Sequence, residues 1–181
     1  GVLYPHEIWK KYSDALDIFL YDRYCSYLNI EGKSAEEDVA LEAMWKNLAD
    51  MGECGNTMVV VDGSGSMTWQ SPYKVQPINI ARSLGVYFAE RCKGEFNNIL
   101  MEFSSLPRLI DLNGCKSLKD KVIEMSKYDD CSNTDIEAVF MLILQTAINA
   151  KMKQSDMPDR VLIVSDMEFD MATNQTTTLY G

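Results

Sequence analysis

Over the first fifty positions apolar residues recur at intervals of three and four. In HEIWKKYSDALDIFLYDRY the residues Ile8, Tyr12, Ala15, Leu16 and Phe19 fall on one face. In SAEEDVALEAMWKNLADM the residues Leu41, Met44, Trp45, Leu48 and Met51 do the same. That period predicts two amphipathic helices. Ser34 followed by Glu37 has the spacing of a capping box for the second helix. NIEGK reads as the turn between them, and GECGN closes the pair.

From Thr57 onward the pattern changes to short apolar runs alternating with longer helical stretches. TMVVVD, NNILMEFS and RVLIVSD read as buried strands, and PRLIDLNG as a short strand closed by a turn. PINIARSLGVYFAERC predicts a helix with Ile80, Leu84, Phe88 and Cys92 in register, and SLKDKVIEMS a short one. TDIEAVFMLILQTAINAKM predicts a third, with Ile136, Val139, Phe140, Ile143, Leu144 and Ala147 facing the core. Strands alternating with helices predict an α/β fold: a doubly wound, Rossmann-like, mainly parallel sheet flanked by helices on both faces. The expected organisation is a helical segment over residues 1–55 followed by an α/β domain over 56–181.

Composition narrows the function classes. The chain has 181 residues, 46% hydrophobic and 24% charged, the balance of a globular protein. No apolar run approaches the roughly 18 residues that cross a bilayer, and no signal-peptide pattern opens the chain. The expectation is a cytoplasmic protein with no membrane partner. Five cysteines, Cys25, Cys54, Cys92, Cys115 and Cys131, are odd in number, with no C-x-x-C pair, so they read as reduced and structural. A net charge of −10 opposes nonspecific binding to nucleic acid. The single histidine, His6, lies far from any other catalytic candidate in the sequence.

The candidate chemistry sits in VVVDGSGSM, where a strand runs into a loop of glycine and serine. In such sheets ligands bind beyond the carboxyl ends of the strands. A dinucleotide fingerprint requires a third glycine, and Thr68 occupies that place; a phosphate-binding P-loop requires a lysine, and Met67 stands there. A nucleophile elbow requires G-x-S-x-G, and the letters around Ser64 are D-G-S-G-S. An aspartyl phosphotransferase would want a second carboxylate at Ser64. Asp62, Ser64 and Ser66 do supply oxygen ligands at alternate positions of one tight loop, which suits a hard cation such as magnesium.

This D-x-S-x-S loop after a hydrophobic strand resembles the metal-ion-dependent adhesion site of von Willebrand factor A domains. That pattern continues with a later threonine, matched here by Thr134 in CSNTD, and an aspartate ending the fourth strand, matched by Asp166 in VLIVSD. The resemblance implies that Ser64, Ser66 and Thr134 contact a magnesium ion, with manganese or calcium as substitutes. Asp62 and Asp166 then act largely through water. It implies a protein partner that presents an acidic side chain, and no catalytic residues. Read without the resemblance, Thr134 belongs to a helix start that Ser132 or Asn133 caps, and Asp166 is a strand-end turn residue with Glu168 and Asp170 as rivals for the ion. Strand phase favours Asp166.

A narrower resemblance covers Thr57 to Asp170. DGSGSM, MEFSSLPRLIDL, SNTDIEAVFMLIL and MPDRVLIVSDMEFD resemble the family called domain of unknown function 2828, which is similar to the C-terminal module of the Ro autoantigen (TROVE) proteins. The helices and strands this implies after SDMEFD are absent, so the expected domain is partial at its C-terminus. The competing expectations are a scaffold in a Ro-like RNA-binding particle, with RNA held by regions outside this domain, and a metal-dependent hydrolase. Tyr21, Tyr24 and Tyr27 with Arg23 offer a base-stacking surface but lack a basic groove. Met101, Met125, Met141 and Met152 read as packing residues.

Overall fold

Six consecutive buried residues make β1 (Thr57–Asp62) the interior strand, as its β-branched run dictates. It pairs in parallel on both sides, with β2 (Ile99–Phe103) and with β4 (Arg160–Val164). β3 (Arg108–Asp111) runs antiparallel to β2, so the described residues form a four-stranded mixed sheet in the order β3-β2-β1-β4. The structure is a computed structural model that describes residues 3–21, 35–52, 54–68, 76–103, 106–127 and 135–166.

The helices are α1 (Pro5–Tyr21), α2 (Ala35–Lys46), α3 (Pro77–Ala89), α4 (Leu118–Ser126) and α5 (Ile136–Asn149). Alternation along the strands divides the core in two. Val59, Val61, Leu100 and Ile110 face α3 and α4, and Ile8, Trp9, Tyr12, Leu41 and Trp45 of α1 and α2 join the same cluster. Met58, Val60 and Met101 face the other way, against Val139 and Ile143 of α5, with Val161 and Ile163 of β4 packed alongside. The sheet is therefore covered on both faces, as expected of an α/β fold.

The N-terminal helices are bound to the sheet layer by polar contacts as well as by packing. The Trp45 indole N–H donates to both Glu90 carboxylate oxygens, at 3.0 and 3.2 Å, and Lys121 Nζ lies 2.7 Å from Glu90 Oε1. The Tyr87 hydroxyl donates to the Ala49 carbonyl at 2.7 Å and accepts from the Met51 amide at 2.9 Å. At α4 a capping box between Ser117 and Asp120 closes the first turn, and Leu118 N–H donates to Glu42.

Several expected faces are corrected. On α3 the stripe of Ile80, Leu84 and Phe88 is only half-buried, whereas Ile78, Ala81, Arg82, Gly85, Val86 and Ala89 are buried. The cause is Gly85: a Cβ built there would lie 2.3 Å from Val61 Cγ2, so the helix seats the stripe through Gly85, not the one through Ile80, Leu84 and Phe88, on β1. On α5, Val139, Ile143 and Ala147 are buried, but Phe140 and Leu144 face outward with Met141. Among the described residues a single helix covers that side and meets the sheet along a narrow line, so residues one step round the helix are exposed. Met44 and Met51 are likewise exposed, Met51 because α2 ends at Lys46. Asp135, rather than Ser132 or Asn133, caps α5, its Oδ1 accepting from Ala138 N–H at 3.0 Å.

Cys54, Cys92 and Cys115 are free thiols. Burial pushes the Cys92 thiol up to about 12, with neighbouring Cys54 adding to the rise. Burial also raises Cys115, helped by Glu124 and Asp120. The proposed capping residue Ser34, the stacking candidates Tyr24, Tyr27 and Arg23, and Cys25 and Cys131 lie outside the described residues.

Candidate metal centre

Where β1 ends, Asp62 is completely buried. Its carboxylate is held from two directions. Oδ1 accepts the Ser64 amide N–H at 2.8 Å, and Oδ2 accepts the Ser165 hydroxyl at 2.5 Å. The first contact folds the chain back over the strand end, and the second fastens the end of β1 to the residue that follows β4. A buried carboxylate without such donors would carry a large desolvation cost.

The loop continues into a single tight helical turn, Gly65–Thr68. Met67 N–H donates to the Ser64 carbonyl at 3.1 Å, and the Thr68 hydroxyl to the Gly65 carbonyl at 2.7 Å. Met67, 2% exposed, sinks into the α3-side core and pins the turn from below. The result brings the Ser64 and Ser66 hydroxyls within 3.1 Å of one another. Ser64 is buried and Ser66 half-buried.

Under this loop lies a buried ion pair. Glu102 on β2, in register with Val61, is 6% exposed, and Arg82 on α3 is 8% exposed. Arg82 binds it through two donors, Nε to Oε2 at 3.2 Å and a terminal nitrogen to Oε1 at 2.9 Å. The Glu102 side chain packs directly on the loop: a Cβ on Gly63 would lie 2.6 Å from Oε1 and 2.9 Å from Cγ. Any side chain between Asp62 and Ser64 would have to displace the Glu102 side chain.

Of the five residues the sequence nominates, the structure joins Asp62, Ser64 and Ser66 in one loop. Thr134 lies outside the described residues, directly before the Asp135 cap of α5. Asp166 follows β4 and is exposed, while its neighbour Ser165 reaches Asp62. Glu168, Asp170, Asp129 and Asp130 also lie outside the described residues. Among the described residues no three His, Cys, Asp or Glu side chains converge as a metal cluster. Hydroxyl oxygens are thus the donors that this loop offers. Sequence reading missed Ser165, Arg82 and Glu102. The last two carried a signal, opposite charges each set in an otherwise uncharged element.

A family model described as Domain of unknown function (DUF7788) matches residues 56–180. The chain belongs to this family. Its description agrees with the sequence expectation to the extent of a domain of unknown function. A curated relative, "Uncharacterized protein L728" of Acanthamoeba polyphaga mimivirus, is 34% identical over 155 residues. The match covers 82% of this chain and 26% of the relative, so the chain spans about a quarter of that protein's length. No solved structure matches. The DUF7788 segment contains the four strands of the described residues, both loop serines and Asp62. No helix among the described residues is long and apolar enough to cross a membrane.

Proposed function

We propose that this DUF7788 chain is a metal-dependent protein-binding module of von Willebrand A type, and not an enzyme. Its site would capture an acidic group of a partner at a magnesium ion beyond the carboxyl ends of the strands. The observation that carries the reading is the 3.1 Å separation of the Ser64 and Ser66 hydroxyls. Neighbouring ligands of an octahedral magnesium, each about 2.1 Å from the ion, lie about 3 Å apart. The donor chemistry also fits, since hydroxyl and carboxylate oxygens are hard ligands.

In this reading Ser64 and Ser66 hold the ion directly, Thr134 supplies a further hydroxyl, and Asp62 and Asp166 act through bound water. Asp62 has a second role, fixing the loop through the Ser64 amide. Bound there, the ion supplies an electrophilic position for a carboxylate. Neutral hydroxyls leave much of its charge uncompensated, which favours an incoming anion. The local attraction then works against the chain's overall charge of −10.

Isothermal titration with magnesium tests the assignment on the wild-type chain, Asp62→Ala and Ser66→Ala. The expected result is binding by the wild type and at least a tenfold loss in each variant. Equal binding by all three rejects the site.

A further inference from the structure

The buried Arg82–Glu102 pair lies against the candidate loop yet supplies no ligand in the proposed site. Glu102 touches Gly63, the residue between Asp62 and Ser64. Its register with Val61 puts it one residue below the strand end, on the face opposite Met58 and Val60. Arg82 approaches from α3 with a two-pronged contact, both partners being nearly inaccessible to solvent.

We infer that Arg82 and Glu102 are positioning and charge-setting residues of the cation site. This inference rests on the reading of Asp62, Ser64 and Ser66 as that site. Glu102 forms the floor on which the loop lies. Its carboxylate would also bring a further negative charge up to a cation held by the loop serines. Arg82 cancels that charge. The cation then keeps its excess positive charge for an acidic ligand, while the loop keeps a rigid floor.

A unit charge introduced within about 10 Å of a divalent ion, at an effective dielectric of roughly 40–50, alters binding on the order of tenfold. The sign depends on which partner is removed. Arg82→Met leaves the Glu102 charge in the floor and should tighten magnesium binding about tenfold. Glu102→Gln, nearly identical in shape, leaves the Arg82 charge and should weaken it about tenfold. Arg82→Lys keeps the charge but loses the two-pronged geometry, so it should bind magnesium within about twofold of wild type despite lower stability. The double variant Arg82→Met with Glu102→Gln changes the net charge by nothing relative to wild type and should return close to wild-type affinity.

The test is magnesium titration of these four variants and the wild type, by calorimetry at one fixed pH, with each fold checked by circular dichroism. Opposite shifts for Arg82→Met and Glu102→Gln support the inference. Weaker binding in both, tracking lost stability, overturns it and leaves a purely structural pair. If Arg82→Met does not fold, the comparison of Glu102→Gln with Arg82→Lys decides, and equal weakening of those two overturns the inference. Wild-type binding unaltered by any variant overturns it while leaving the site reading intact. Absence of magnesium binding by the wild type overturns both.

Discussion

The Ser165 hydroxyl donates to Asp62 Oδ2 at 2.5 Å, a contact from the end of β4 to the end of β1. Asp62 is wholly buried, so this donor compensates part of the cost of a carboxylate out of water. It also fixes the rotamer from which Oδ1 receives the Ser64 amide.

Ser165→Ala should therefore destabilise the fold by about 1.5–3 kcal/mol, the usual range for a hydrogen bond to a charged group. It should also weaken magnesium binding, because the loop loses its anchor. Urea unfolding of the metal-free protein reads the first effect, and titration the second. A variant as stable as wild type would show that the contact contributes nothing.

The close seat of α3 on β1 gives a second expectation. Gly85→Ala inserts a methyl where Val61 Cγ2 already stands, 2.3 Å from the built Cβ. Overpacking of this kind costs about 1–3 kcal/mol, despite the better helix propensity of alanine. Val61→Ala removes the clashing methyl, so the double variant should be less destabilised than the two single losses added together. Denaturation midpoints of the cycle measure this coupling, and simple additivity would contradict it.

A third expectation concerns alkaline pH. The Cys92 thiol, buried in the α3-side core, is raised from 9.0 to about 12, and burial together with Asp38 and Glu42 raises Tyr12 as well. The unfolded chain releases the thiol proton near pH 9, and the folded chain keeps it to about pH 12. Between those values the native state holds more protons, so stability falls as pH rises, by about 1.4 kcal/mol per pH unit for each proton involved. Below pH 9 the contribution is fully present. Guanidinium midpoints from pH 8 to 10.5 should fall, and more gently in Cys92→Ala. Parallel slopes in the two proteins would remove Cys92 as the cause.

Strand positions were readable because each strand is a short β-branched or apolar run bounded by polar residues; TMVVVD coincides with β1 residue for residue. Helix existence was equally plain, but helix faces were not. Ile80, Leu84 and Phe88 have the expected spacing, and so do Ile78, Ala81, Gly85 and Ala89 beside them. Periodicity does not tell which stripe meets the sheet when the true seat is centred on a glycine. The Asp62, Ser64 and Ser66 grouping was legible because one loop contains it. Ser165, Arg82 and Glu102 were not, since their roles depend on which strands are neighbours and on how closely α3 approaches.

The Trp45–Glu90–Lys121 cluster and the cover of α1 and α2 over Tyr87 carry a consequence for evolution. The DUF7788 match starts at residue 56, but the hydrophobic core it contributes to extends upstream to include Ile8, Trp9 and Trp45. The similarity to the viral relative, which covers 82% of the chain, also runs upstream of residue 56. A family member that dispensed with the upstream helices would have to recruit another apolar surface to shield its equivalent of Tyr87.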